Sequence, residues 1–169
     1  SVDFGFPGWQ KFLMDAAEFH SSPATVLKLI QNNNLIGAAS LLAESADRFQ
    51  LLVEKAFGRQ VSEEQARSGA VSYLPKLASG PVITTNFDRV LEAAFQAAGM
   101  PFEDFITGGE PDNVIRAMHR NKHVLIKMHG DALDRSARVF TGLEYDEQYK
   151  KISRLAWIMF TNRPLLFLG

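Results

Sequence analysis

The chain contains no cysteine. That excludes disulfides, a thiolate zinc site and a cysteine nucleophile. It also lacks any apolar run of membrane-spanning length and any signal-peptide pattern. There is no excess of positive charge: 18 Lys and Arg stand against 19 Asp and Glu, for a net charge of −1. Bulk charge therefore calls for neither nucleic acid nor an anionic membrane as a partner. With 12 Gly and 7 Pro, the composition is not that of a disordered or low-complexity chain, and no internal repeat is visible. What remains is a chain of 169 residues, 46% of them hydrophobic, enough for one domain with a sizeable core. The expectation is a soluble cytoplasmic protein. The ends suggest a piece cut from a longer protein, since the chain opens on Ser1-Val2-Asp3-Phe4-Gly5 and stops where the apolar run Pro164 to Leu168 reaches Gly169.

Two kinds of pattern divide the chain. After a Gly/Pro loop over residues 1–9, the first half reads as helix: 10–19, then 24–31 behind Ser22 and Pro23. A long helical pattern follows from Leu35 to Lys55. Another helix starts at the capping-box sequence Ser62-Glu63-Glu64-Gln65 and runs to Tyr73 or Leu77, kinked at Pro75. The second half alternates instead. Strands are expected over 82–84, 105–107, 123–128 and 165–168, with helices over 89–98, 113–119 and from Thr141 to Trp157 or Phe160. Such alternation implies an α/β fold with a doubly wound parallel sheet. The first half, by contrast, is mostly helical and holds no strong strand.

Ligands bind open α/β sheets beyond the carboxyl ends of the strands, and two such ends carry chemistry. The first strand runs Pro81-Val82-Ile83 into Thr84-Thr85-Asn86-Phe87-Asp88, which places an amide and a carboxylate at the crevice. Asp88 has two readings, a ligand contact or the N-cap of the following helix, which Gly99-Met100-Pro101 stops. The other strand ends in Lys127-Met128-His129-Gly130-Asp131. His129 there suits a general base, with Gly130 letting a ligand approach, or else it is a satisfied core residue.

These segments together resemble the sirtuins. Thr84-Thr85-Asn86-Phe87-Asp88 looks like their Thr-Gln-Asn-Ile-Asp motif, and Lys127-Met128-His129-Gly130 looks like the strand ending in their catalytic His-Gly. Ser1 and Gly5-Phe6-Pro7 resemble the end of the Gly-Ala-Gly-x-Ser phosphate loop and the Gly-Ile-Pro after it. Leu166-Phe167-Leu168-Gly169 resembles the strand leading to the Gly-Thr-Ser that grips the adenosine ribose. The variant forms, including Thr141-Gly142-Leu143-Glu144-Tyr145, are those of bacterial SIR2-like domains of antiphage defence proteins. The resemblance covers residues 1–9 and 80–169; residues 10–79 match no sirtuin motif, and the resemblance implies that they are a helical module inserted into a doubly wound fold truncated at both ends.

The resemblance implies a Rossmann-like fold and NAD⁺ as substrate. It assigns Asn86 and His129 to catalysis, and Ser1, Phe6, Thr85, Asp88, Gly130 and Gly169 to binding NAD⁺. Asn86 would hold the nicotinamide ribose or a water, and Asp88 would accept from the carboxamide. His129 would act as general base, and the backbone around Phe6 would complete the nicotinamide pocket, unless Phe6 is plain core. Sirtuin deacylases carry a four-cysteine zinc module, which this sequence cannot build. Water is therefore the expected acceptor, without zinc, and the expected activity is NAD⁺ glycohydrolase in antiviral defence. Alternatives are a non-catalytic NAD⁺- or ADP-ribose-sensing or assembly module, and a deacylase or ADP-ribosyltransferase. Expected partners are a second copy through residues 10–79 or other defence subunits, with no membrane and no direct nucleic-acid contact. Cut at both ends, the segment is expected to be incomplete as a catalyst.

Three further groups have a structural and a functional reading. Arg116, His119, Arg120, Lys122 and His123 form either a basic patch or, preferred here, cations at a helix C-terminus. Trp9, Trp157 and Phe160 read as core rather than as base-stacking residues. Glu144 and Tyr145 read as a cap or brace rather than as catalytic groups.

Overall fold

A computed structural model describes residues 2–107, 111–134, 138–162 and 166. A 3₁₀ turn over Val2–Phe4 leads into α1 (Trp9–Ala17), α2 (Pro23–Gln31) and α3 (Leu35–Leu42). A second 3₁₀ turn, Ala43–Ser45, precedes α4 (Ala46–Phe57), and α5 (Glu63–Ala66) follows. The 3₁₀ turn Ala70–Tyr73 and α6 (Leu74–Leu77) complete the helical module. The second half is β1 (Val82–Thr84), α7 (Val90–Ala97), β2 (Asp104–Thr107), α8 (Pro111–His119), β3 (Val124–Lys127) and α9 (Gly142–Asn162). The expected strand over 165–168 lies outside the described residues.

Two expected helices are broken. The pattern from Leu35 to Lys55 is two helices, because Ser45 leaves helical geometry at φ −97°, ψ 65° and Asp47 places a carboxylate in the first turn of α4. The change of direction lets Leu42 and Phe49 both reach the core. The helix opened by Ser62 has its capping box, with Ser62 Oγ accepting from the Gln65 N–H and Gln65 Oε1 from the Ser62 N–H. It ends after one turn because Gly69 adopts φ +66°, a conformation suited to glycine. Pro75 does not kink a helix; it sits in the first turn of α6, where its missing N–H costs nothing.

All pairings in the three-stranded sheet are parallel, in the order β1-β3-β2. β3 is central and buried along its whole length. Its alternating side chains supply two cores. Val124 and Ile126 pack with Val114, Ala117 and Met118 of α8, while Leu125 packs with Phe95 of α7 and Phe102. Helices thus cover both faces, and the fold is α/β and Rossmann-like. A third, larger core joins Phe12, Val26, Phe49, Val53 and Phe57 of the helical module to Phe6, Ala132 and Phe140, with Phe87 packed against it. The helical module therefore rests on the loops that leave β1 and β3. α7 stops in a Schellman motif: Gly99 at φ +73° donates to Gln96 O, and Met100 donates to Phe95 O at 2.9 Å.

Candidate active site

β1 and β3 run side by side in register, with Thr84 opposite Lys127. Pairing extends one step further, where the Met128 N–H donates to Thr84 O at 2.8 Å. Asn86 and His129 each lie two residues beyond the Thr84–Lys127 pair, so two adjacent parallel strands deliver them to the same end of the sheet. The turn after β1 is tied by the Asn86 N–H donating to Thr84 Oγ1 at 3.1 Å, a local bond typical of Ser/Thr turns. Thr85 and Asn86 are exposed, whereas Phe87 is planted among rings, 4.9 Å from Phe140, 5.8 Å from Trp9 and 6.0 Å from Phe57 between centroids.

Asp88 lies at the start of α7. It is 5% exposed, and its Oδ1 accepts from the Val90 N–H at 3.1 Å, at the first residue of α7. Arg89 rather than Asp88 holds the N-cap position. The carboxylate thus satisfies one of the donors that a helix start leaves open.

The strand-end turn after β3 requires glycine. Gly130 is buried at φ +85°, and its N–H closes on Lys127 O at 3.2 Å. This places His129 between Phe87, 6.3 Å away, and Tyr145, whose ring meets the imidazole edge-to-face at 5.2 Å and 86°. Burial lowers the His129 pKa from its ordinary value, and a hydrogen bond to the Thr85 backbone opposes the shift only in part. The neutral imidazole needed by a general base is therefore favoured.

A buried ion cluster that sequence spacing does not reveal locks the two turns together. Lys127, 2% exposed, sends Nζ to Asp88 O at 2.7 Å, Asp131 Oδ2 and Glu92 Oε1 at 2.9 Å, and Phe87 O at 3.3 Å. Asp131 also accepts from the Leu133 N–H at 2.8 Å and from two guanidinium nitrogens of Arg89 at 3.2 Å. Burial alone would raise the Asp131 pKa, but the Leu133 N–H, Lys127 and Arg89 outweigh it and the carboxyl is held below its usual range. Two cations and two carboxylates thus neutralise one another, as a buried cluster requires. A lysine closing the otherwise apolar Val124-Leu125-Ile126, four residues before an aspartate, was the available signal.

Three more contacts brace the same turns. Gln148 Nε2 donates to Met128 O at 3.0 Å. The Val139 N–H donates to His129 O at 3.2 Å. Arg138 is buried, donating to Asp131 O and Asp134 O at 3.1 Å, to Glu54 Oε1 at 3.2 Å, and to Gln50 Oε1. It thereby ties α4 of the helical module to the loop after His129. Glu144 is a cap, as its sequence context suggests: its Oε2 accepts from the Phe140 and Thr141 N–H groups at 2.8 Å, while its own N–H donates to Thr141 Oγ1.

The remaining candidates fall as follows. Phe6 is buried with its side chain in the large core, and the Arg59 guanidinium lies 4.3 Å from its ring centroid. Arg59 also donates to Phe4 O. Ser1 and Gly169 lie outside the described residues, as do the side chains of Trp157 and Phe160. Trp9 belongs to the aromatic core, stacked on Phe140 at 5.7 Å. His123 leaves the basic group for a structural post: its ring nitrogens face Gly80 O and Met100 O, each at 3.1 Å, and its ring stacks on Phe102. Among the described residues no cluster of three His, Asp or Glu is placed to hold a metal ion, and no helix is long and apolar enough to cross a membrane.

This geometry has a counterpart in known sequence families. The family model described as SIR2-like domain matches residues 81–169, more than half of the chain and the whole segment that carries β1, β3 and both strand-end turns. No curated protein matches. The chain belongs to the SIR2-like domain family, which is related to the sirtuins and generally comprises NAD⁺-dependent enzymes.

Proposed function

We propose that the protein is an NAD⁺ glycohydrolase that converts NAD⁺ and water to nicotinamide, ADP-ribose and a proton. The observation that carries this reading is the shared position of Asn86 and His129, each two residues beyond a registered pair on adjacent parallel strands. The residues present suit the ligand. An exposed amide and a half-buried imidazole with a lowered pKa stand at the carboxyl end of the sheet, where this fold class binds nucleotides.

Loss of nicotinamide from the ribose passes through an oxocarbenium-like sugar, the same class of transition state as glycoside hydrolysis. In this reading Asn86 hydrogen-bonds the nicotinamide ribose or the attacking water. His129 takes the proton from that water or from a ribose hydroxyl, which its neutral form allows at pH 7. The sequence has no cysteine with which to build the deacylase zinc module, which supports water as the acceptor in this reading. Depletion of cellular NAD⁺ during antiphage defence rests on the motif variants alone.

The test is incubation of the full-length protein with NAD⁺ while nicotinamide release is followed. General-base catalysis is worth about 10²–10⁴-fold, so His129→Ala is expected to lose roughly that much. NAD⁺ that binds without being cleaved under any activating condition would indicate the sensing module instead.

A further inference from the structure

We propose that Tyr145 is a positioning residue for His129, holding the imidazole edge-to-face from the first turn of α9 while Phe87 backs it from the strand-end turn. The inference rests on the reading of His129 as the general base, and it gives the Thr141-Gly142-Leu143-Glu144-Tyr145 segment a task beyond starting a helix.

The contact is built rather than incidental. Thr141 and Glu144 form a reciprocal capping box, with Glu144 Oε2 on the Phe140 and Thr141 N–H groups, and such a box satisfies backbone donors that the helix start would otherwise leave open. The Gly142 N–H also donates to Ser40 Oγ at 3.2 Å, tying this first turn to α3. One turn later Gln148 Nε2 holds Met128 O, the carbonyl immediately before His129. Tyr145 lies between these two anchors, so its ring is carried to the imidazole at 5.2 Å and 86°. A T-shaped approach is one of the two favoured geometries for such rings. Phe87, held in the aromatic core, stands on another side of the imidazole, tilted by 37° with centroids 6.3 Å apart. Rotation of the imidazole is thus restricted by two elements, and the hydrogen bond to the Thr85 backbone selects among the orientations left.

Among the described residues, the carboxylates of the adjoining turns have partners of their own. Glu144 serves the cap, Asp131 is paired with Lys127 and Arg89, and the Asp88 Oδ1 accepts from Val90. The titration of His129 is therefore expected to respond to Tyr145 more than to a neighbouring charge. Without the ring, water reaches the imidazole, and the His129 pKa returns toward its ordinary value.

The experiment is an NMR titration of the full-length protein with labelled histidine rings, the His129 signal assigned by its loss in His129→Ala. An NOE between the His129 and Tyr145 ring protons is expected in the unaltered protein, and its absence would overturn the proposal without need of a variant. Tyr145→Leu is expected to move the His129 midpoint upward toward 6.5, and Tyr145→Phe, which keeps the ring, to restore it. An unchanged midpoint in Tyr145→Leu would overturn the proposal. In the nicotinamide-release assay the acid limb of kcat should move with the midpoint. A rise in KM alone, or equal losses in the Phe and Leu variants, would mean that Tyr145 acts through its hydroxyl on substrate, and would overturn it too. The titration needs no turnover, so the contact remains testable in a protein that proves not to cleave NAD⁺.

Discussion

Lys127 Nζ lies 2.9 Å from Asp131 Oδ2, an ion pair that spans Met128-His129-Gly130. The same ammonium reaches back to Asp88 O, immediately beyond the turn that carries Asn86. One side chain therefore fixes both strand ends, and the two candidate catalytic groups owe their relative position to a residue that touches neither.

Removing that lysine should be costly. Lys127→Met takes from Asp131 its buried cation, leaving the half-exposed Arg89 and the Leu133 N–H, and takes the hydrogen bond from Glu92, whose other oxygen is already buried without a partner among the described residues. Breaking a buried pair by deleting one partner costs about 3–5 kcal/mol. Urea unfolding should show a loss of that order. A loss under about 1 kcal/mol would mean that the cluster is not holding the turns.

Acid should weaken the same cluster. The Asp131 pKa is lowered in the folded protein, so its contribution to stability is complete above the unfolded value of 3.8 and fades as pH falls through the folded one. His129, also lowered, acts at a higher pH: between its folded pKa and 6.5 the unfolded chain binds more protons, so stability rises with pH across that window. Denaturation midpoints from pH 3 to 8 should rise in two steps. Asp131→Asn should diminish the lower step, and His129→Gln the upper.

Gly130 should tolerate no side chain. At φ +85° an alanine sits in left-handed geometry, at a cost of roughly 1–2 kcal/mol. Because the residue follows His129, Gly130→Ala is expected to reduce nicotinamide release by more than its stability loss would explain. Full activity with full stability would show that the turn can be rebuilt.

Arg138 should couple the helical module to the site. Hydrogen bonds to charged groups contribute about 1.5–3 kcal/mol each, and Arg138→Met removes its bonds to Gln50, Glu54, Asp131 and Asp134. Hydrogen exchange should quicken in both α4 and the turn after β3. Faster exchange in only one of them would mean that Arg138 does not join the two.

What could be read in the sequence was local. The Val82-Ile83-Thr84 and Val124 to Lys127 strands, the cap at Ser62 and the stop at Gly99 follow from residues within a few positions of one another, and the structure holds them there. The parallel pairing then follows from strand–helix alternation, which is why Asn86 and His129 could be expected at one end of the sheet. The break at Ser45 was hidden because Leu35 to Lys55 keeps a helical period across it, and only packing of Leu42 and Phe49 into one core reveals the change of direction. Lys127 reaches Phe87, Asp88 and Glu92 from 35 to 40 positions away, and Arg138 reaches 84 to 88 positions back to α4. Such partners are not visible from spacing. Tyr145 reads from its neighbours as a brace; its contact with His129 depends on how α9 docks, which no local pattern encodes.

If Asn86 and His129 together cleave NAD⁺, nicotinamide release by the full-length protein depends on both. Measured beside Asn86→Ala and His129→Ala of verified fold, the rate should fall on the order of 10²-fold or more with each substitution, and the double variant should lose little beyond the worse single one, as expected of groups acting as a unit. Turnover unchanged in both single variants would contradict that reading.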